Sequence, residues 1–281
     1  MINTFMISGK AKLAGVMGWP VGHSLSPRIH NYWLQQHRID GAYVPLVVEP
    51  VRFEQALRAL SALGFQGVNL TVPHKETALF VVDRLDNLAQ RVGAVNTVVV
   101  RKDGSLEGRN TDVFGFAENL RNAGLTTGDI ATIIGAGGAA RAVIVALQEM
   151  GFTNIRVVNR TRERAEKLSK SFSDGIQIFD EAKINEALDG ADLLVNTTSL
   201  GMVGEPPLKI DLLSLPREAW VTDVVYAPLM TDLLKQAQQR GNKIVDGLNM
   251  LLHQASPGFE AWFGAKPEVN ENLRRFVLAE T

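Results

Sequence analysis

The chain contains no cysteine among its 281 residues, which removes disulfide frameworks and thiolate metal sites from consideration and fits a reducing compartment. It has no surplus of charge of either sign: 29 Lys and Arg stand against 30 Asp and Glu, a formal net charge of −1. Such a balance gives neither the basic surface that nucleic acid requires nor a charged tail for a partner. Long apolar runs are missing as well. Nothing approaches the ~18 apolar residues of a membrane span, and "MINTFMISGKAKLAGVMGWP" lacks the basic stretch and sustained apolar run of a secretory signal. The five histidines show no metal-ligand spacing, and there is no solenoid repeat or low-complexity linker. What remains is an ordinary globular composition, 46% hydrophobic and 21% charged. Its length suits one large α/β unit or two modest domains with a well-buried core. A cytoplasmic protein is expected, acting on a small molecule and not on nucleic acid or membrane.

Short apolar runs alternate with helical patterns, which predicts parallel βα units. Strands are expected at 13–18, 42–48 and 67–72. Helices are expected at 26–37, with Ser26 as N-cap and Pro27 as first helical residue, and at 51–64, closed by Gly64. Residues 94–112 read differently, as two extended runs meeting at Asp103-Gly104, a strong hairpin signal. A second series then predicts helices at 115–123, 138–150 and 162–171. Its strands fall at 130–135 and 155–159, near 192–196 and 221–225, and at 243–247. Residues 248–281 read as helical, with no strand following.

The segment "NLTVPHKE", 69–76, ends an apolar strand with an amide, a hydroxyl, an imidazole, an ammonium and a carboxylate. Leu70 and Val72 read as the end of a buried strand. A plain structural account makes Pro73 the start of a helix capped by Thr71, with solvated charges. A functional account makes the polar side chains part of a site.

"IATIIGAGGAARAVIVAL" places Gly135, Gly137 and Ala140 in G-x-G-x-x-A spacing between a strand and a helix. The first glycine permits the tight turn and the second lets backbone amides approach a pyrophosphate. The small third residue lets helix pack on strand, and the helix N-terminus faces the anion. Gly135, Ala136, Gly137, Gly138 and Ala139 are thus the expected dinucleotide-binding turn. The next strand reports on the nucleotide. An NAD-binding unit usually offers Asp or Glu about 20 residues past the fingerprint, but "NIRVVNRT" ends in Asn159, Arg160 and Thr161, with Arg162 and Arg164 behind. Guanidinium groups attract a 2′-phosphate that a carboxylate would repel. Cations at a helix start also oppose the macrodipole, so their placement needs another reason. NADP is the expected cofactor.

The segments "HSLSP", "NLTVPHK", "GAVNT", "NTD", "GAGGAARA", "NRT", "TTSLGM", "DVVYAPL" and "DGLNMLLHQA" together resemble the shikimate dehydrogenases, in the order seen in that family and over nearly the whole chain. The resemblance implies NADPH-dependent reduction of 3-dehydroshikimate to shikimate, on the route to aromatic amino acids. It implies an α/β fold in two domains: a discontinuous substrate domain, 1–114 with the C-terminal helices 248–281, and a doubly wound Rossmann NADP-binding domain, 115–247. By resemblance Lys75 is the catalytic lysine and Asp112 its partner. An ammonium within reach of a ketone can polarise it and supply a proton, and a carboxylate would hold that ammonium and accept from a substrate hydroxyl. The alternative is a plain Lys–Asp salt bridge. Ser24 and Ser26, at a helix start, suit a carboxylate. Asn69, Thr71, Asn96 and Gln254 match the family's other polar contacts, and Tyr226 its tyrosine near the carboxylate. Val224 and Gly247 would lie by the nicotinamide, and His74 is expected to be structural. Two departures stand out: Ala227 replaces a common asparagine, and Asn249 a common glycine. Two other readings remain open, a quinate/shikimate dehydrogenase using NAD and a ligand-binding regulator without turnover. Either a monomer or a homodimer is compatible with the sequence.

Overall fold

The protein is described by a computed structural model covering residues 7–172 and 175–279. It divides into two compact units, one running to Thr111 and resuming at Leu252, the other spanning Asp112–Leu251. The sequence expectation placed these divisions at 114/115 and 247/248.

The first unit opens with β1 (Lys12–Gly18), α1 (Ser26–Gln36), β2 (Gly41–Val47), α2 (Phe53–Ala62) and β3 (Phe65–Leu70). It continues with β4 (Arg84–Leu85), α3 (Asn87–Val92), β5 (Thr97–Val100) and β6 (Leu106–Arg109). The sheet order is β2-β1-β3-β5-β6-β4. β1 pairs in parallel with both β2 and β3, while β3–β5 and β5–β6 are antiparallel. The β5–β6 hairpin turns at Asp103-Gly104, where φ is +82° at Gly104, a conformation open to glycine. On one face α2 presents Phe53, Leu57 and Leu60 at helical spacing to Met17, Val68, Leu70, Val98 and Leu106.

Three local expectations change. β3 ends at Leu70, and Val72 is 70% exposed, so it is not a buried strand end. Residues 71–76 form turns leading to a 3₁₀ segment at Thr77–Phe80, so Thr71 caps no helix and Pro73 starts none. Ser26 lies inside α1 and not at its cap. Leu25 holds the cap position with no side-chain bond, and the Ser24 hydroxyl accepts the Ser26 N–H at 3.3 Å.

The second unit consists of α4 (Asp112–Ala123), β7 (Ile130–Ile134), α5 (Gly138–Glu149), β8 (Asn154–Val158), α6 (Arg162–Ser169) and β9 (Ile176–Phe179). Then come α7 (Ile184–Leu188), β10 (Leu193–Asn196), β11 (Trp220–Asp223), α8 (Asp232–Arg240) and β12 (Lys243–Val245). All its pairings are parallel, in the order β9-β8-β7-β10-β11-β12. Counted from β7 this is 3-2-1-4-5-6, the Rossmann order, whose ligand crevice lies where β7 and β10 diverge. α4 starts three residues before the expected 115, with Asp112 in its first turn, where a carboxylate suits the helix dipole. β9 and the helices α7 and α8 were not among the expected elements. β9 is a partly exposed edge strand of four residues, too short and too open to announce itself.

The last helices, α9 (Leu248–Phe263) and α10 (Glu271–Leu278), return the chain to the first unit from Leu252 onward. There Trp262 donates its indole N–H to the Val98 carbonyl at 3.0 Å. Gly67 makes the room. Its φ is +152°, and a Cβ on it would run into both that same carbonyl oxygen and the indole nitrogen.

Candidate active site

The turn after β7 is built from backbone and from absent side chains. Gly135 has φ +111°, and a Cβ there would lie 2.6 Å from Thr197 Oγ1, the residue following β10. The strand-order reversal thus leaves room for nothing larger than glycine. Gly137 caps α5 with no side-chain bond, and at Gly137 and Gly138 a Cβ would meet nothing within 4 Å. Open space over free helix-terminal amides is the arrangement that receives a phosphate. Ala140 is fully buried, as the third small position requires, while Ala136 and Ala139 are half-buried along the turn.

At the end of β8 the basic residues separate into two kinds. Arg162 is engaged, donating to Glu166 at 2.9 Å and to both carboxylate oxygens of Asp180 at 2.9 and 3.0 Å. Those bonds to Asp180, then Glu166, raise its pKa further. Arg160 and Arg164 are exposed and make no ion pair among the described residues. The Asn159 amide donates to the Thr161 carbonyl at 2.7 Å, shaping the bend that carries them. A 2′-phosphate therefore has two uncommitted guanidiniums within reach of this strand end, and the residues present fit NADP.

Two further strand ends, of β10 and β11, are tied to the cap of α8 by one buried acid. Asp223 accepts from Asn196 Nδ2 at 3.0 Å, from the Val225 N–H at 3.0 Å and from the Thr231 hydroxyl at 2.8 Å. Burial pushes its pKa up and those three bonds oppose the shift. Val224 donates its N–H to the Asn196 carbonyl at 3.0 Å. Gly247 sits where a Cβ would fall 2.7 Å from each of the carbonyl oxygens of Asp223, Val224 and Val225. Its smallness thus serves this backbone approach. Tyr226, just beyond, has its phenol pKa raised by burial. At the two departures, the Ala227 carbonyl accepts from the Val203 N–H at 2.9 Å, and Asn249 stands half-buried in the first turn of α9.

The first unit works with side chains. Asn69 donates through Nδ2 to the Asn96 carbonyl at 3.2 Å and to Thr97 Oγ1 at 3.0 Å. Because a carbonyl can only accept, the amide orientation is fixed, and Oδ1 receives the Tyr43 hydroxyl at 2.6 Å. Thr97 passes its proton to Asn96 Oδ1 at 3.0 Å. That oxygen also accepts the Thr111 N–H at 2.8 Å, which orients Asn96 in turn. Its Nδ2 then donates to Thr111 Oγ1 at 2.9 Å and to Gln254 Oε1 at 3.3 Å. Ser26, Asn69, Asn96 and Gln254 are all buried. Two backbone groups thereby set the polarity of the chain of side chains from Asn69 to Gln254.

Around this chain, Ser24 is half-buried against Ser26. The Thr71 N–H donates to the Met17 carbonyl at 3.0 Å, and a Cβ on Gly18 would collide with its methyl. The Lys75 carbonyl accepts from the Val95 N–H at 2.9 Å, next to Asn96 in sequence, and Lys75 is half-buried. His74 stacks on Phe53 at 4.3 Å and its Nε2 lies 2.8 Å from the Val48 carbonyl, so Nε2 carries the proton. Burial lowers its pKa, with that bond opposing. Both contacts hold the ring within the first unit. Asp112 is buried at the start of α4. Asp112, Tyr226 and all the cofactor candidates belong to the second unit. Among the described residues there is no cluster that could hold a metal ion, and no helix is long and apolar enough to cross a membrane.

Residues 16–98 match the family description "Shikimate dehydrogenase substrate binding domain", and residues 119–202 match "Shikimate / quinate 5-dehydrogenase". A protein from Paramagnetospirillum magneticum named shikimate dehydrogenase (NADP(+)) is 57% identical over 97% of this chain and 100% of its own. The chain belongs to the shikimate dehydrogenase family. Among solved structures it is similar to a shikimate 5-dehydrogenase from Thermus thermophilus in complex with NADP(H) and shikimate. That likeness has TM-score 0.85 and 37% identity, covering 96% of this chain and 100% of the other. It is also similar to the quinate dehydrogenase of Corynebacterium glutamicum in complex with NAD, at TM-score 0.89 and 31% identity, over 96% and 99%.

For a shikimate dehydrogenase, the sequence reading left out Tyr43, His30, Asn196 and Asp223. All four are buried polar residues bonded to or stacked on candidate site residues or their neighbours. The sequence does hold one signal for the first pair: Ser26, His30 and Asn31 recur at helical spacing on α1, polar residues on a face that also carries Ile29 and Trp33.

Proposed function

We propose that this chain catalyses the reversible NADPH-dependent reduction of 3-dehydroshikimate to shikimate, with the side-chain network of the first unit as its shikimate site and the second unit as its NADP site. It is an NADP-dependent oxidoreductase acting on a CH–OH group. NADPH, when bound, supplies the hydride. Gly137, Gly138 and the start of α5 hold its pyrophosphate, Arg160, Arg164, Thr161 and Asn159 its adenosine end, and Val224 and Gly247 border its nicotinamide. Lys75 acts on the ketone oxygen: its ammonium polarises the carbonyl and delivers the proton that the new hydroxyl needs. Asp112 supplies the carboxylate that balances that ammonium and accepts from a ring hydroxyl. Ser24, Ser26 and Tyr226 take the carboxylate. Asn69, Thr71, Asn96 and Gln254 take the ring hydroxyls, for which amides and hydroxyls are suited because they offer both donors and acceptors. The enzyme works in the cytoplasm, as a monomer or homodimer.

The observation that supports this reading most directly is the pair of uncommitted arginines beside an open glycine turn, in a chain whose first unit holds a buried, oriented set of amides and hydroxyls. A spectrophotometric assay pairing shikimate and quinate with NADP and NAD tests it. Turnover is expected to be highest with shikimate and NADP. Preference for quinate with NAD would overturn the substrate and cofactor assignment, and absence of turnover with all four pairs would favour a ligand-binding regulator.

A further inference from the structure

Tyr43 is held from every side. Its backbone N–H donates to Asn31 Oδ1 at 3.1 Å and its carbonyl accepts from Asn31 Nδ2 at 2.9 Å, so an amide on α1 completes the free edge of β2. Its ring lies flat on His30, with centroids 4.0 Å apart and planes 4° from parallel, and Trp262 tilts against it at 5.9 Å. Its hydroxyl donates to Asn69 Oδ1 at 2.6 Å. Two adjacent residues of α1, His30 and Asn31, thus supply a face for the ring and a clamp for the peptide.

A phenylalanine would give the same stacking without burying a hydroxyl, and a buried hydroxyl is costly unless bonded. The hydroxyl at position 43 is accounted for by its partner, Asn69. We infer that Tyr43 is a positioning residue for shikimate: its phenol holds in one orientation the amide of Asn69, the residue that meets a ring hydroxyl. This rests on the functional reading above. With Oδ1 receiving the Tyr43 hydroxyl and Nδ2 donating to the Asn96 carbonyl and Thr97 Oγ1, the amide cannot turn over without losing these bonds. Tyr43 acts through Asn69 and leaves the chemical step to other residues.

The test uses the full-length enzyme with Tyr43→Phe, which keeps the ring and the His30 stack and deletes only the oxygen. The KM for shikimate should rise roughly ten-fold, the size of one partner lost to a buried polar group. The kcat should change less than about three-fold and the KM for NADP less than about two-fold, since neither depends on this phenol. In an Asn69→Ala background the same substitution should add less than about two-fold, because the partner through which it acts is gone. Thr97→Val, which removes the other side-chain partner of Asn69 and leaves β5 intact, should raise the shikimate KM in the same direction by a smaller factor, and it serves if Tyr43→Phe fails to fold. An unchanged shikimate KM in a folded Tyr43→Phe enzyme overturns the inference. So does a parallel rise in both KM values, or a full ten-fold effect on top of Asn69→Ala. A parent enzyme that oxidises no shikimate overturns the functional reading instead, and the inference falls with it.

Discussion

The two units prepare for their ligands in opposite ways. The second unit offers peptide groups, with glycines that keep side chains out: φ +111° at Gly135, open space over Gly137 and Gly138, and three carbonyls crowding Gly247. The first unit buries amides and hydroxyls that fix one another, from Tyr43 through Asn69, Thr97 and Asn96 to Gln254. A pyrophosphate asks only for positive potential and N–H groups, which a helix terminus supplies without choosing a residue. A ring with several hydroxyls asks for donors and acceptors in a set order, and only side chains held in one orientation give that. Recognition of charge can thus rest on the main chain, whereas recognition of pattern needs a network.

The comparison breaks most visibly at Lys75. If the first unit carries the chemistry, Lys75→Ala should lower kcat by roughly 10²–10⁴ and leave the KM for NADP almost unchanged. Steady-state kinetics at saturating NADP decide this. A kcat within a few-fold of the parent would make Lys75 a binding residue. Asp112→Asn, combined with it, should give a loss far from additive.

A smaller effect tests whether the network is free of titration near neutral pH. Burial holds the His30 pKa down at about 3, against an ordinary value of 6.5, and its contact with the Asn69 side chain opposes that shift. The folded protein therefore leaves His30 neutral while the unfolded chain binds a proton below about pH 6.5. Its share of stability is complete above that pH and is lost as pH falls toward 3. Urea unfolding of His30→Phe should lose about 2 kcal/mol less than the parent between about pH 6.5 and 4.5. Identical slopes for the two proteins would mean that His30 is protonated in the fold.

For the main-chain site, Gly137→Ala is the matched probe. Its φ of −95° suits any residue and its Cβ position is empty, so the melting temperature should hold. The methyl would occupy the space a pyrophosphate needs, and the KM for NADP should rise about ten-fold, the loss of about 1.4 kcal/mol. An unaltered KM would place the phosphate elsewhere. The smallest expected difference sharpens the strand-end reading. Arg160→Ala should raise the KM for NADP several-fold and barely alter that for NAD, while Arg162→Ala should change neither, its guanidinium being engaged with Glu166 and Asp180. Equal losses with both nucleotides would remove Arg160 from the 2′-phosphate.

What was legible in the sequence follows the same division. The turn at 135–140 could be read because backbone geometry demands glycine at fixed spacing, whatever the neighbours are. The parallel βα order of the second unit could be read from its apolar runs, although β9 escaped because an edge strand of four half-exposed residues carries little pattern. Arg162 could not be told from Arg160 in the sequence, since what commits it is Asp180, on the far side of β9. Tyr43 was read only as part of a strand. Its neighbours come from α1, β3 and α9, and no spacing along the chain brings them together. Val72 misled in the other direction: alternation with Leu70 suggested burial, but the strand stops at Leu70 and Val72 turns outward.

The indole seated over Gly67 sets an order of events at birth. Its bond to Val98 spans 164 positions, which a ribosome adding ~5–20 residues per second covers in on the order of ten seconds or more. Throughout that interval the opening strands have been made but lack the wedge that completes their sheet, while Asp112–Leu251 emerges as one continuous stretch. The part made first is therefore the part finished last. Until α9 is made, the nascent chain carries Gly67 and the Val98 carbonyl without the indole that covers them.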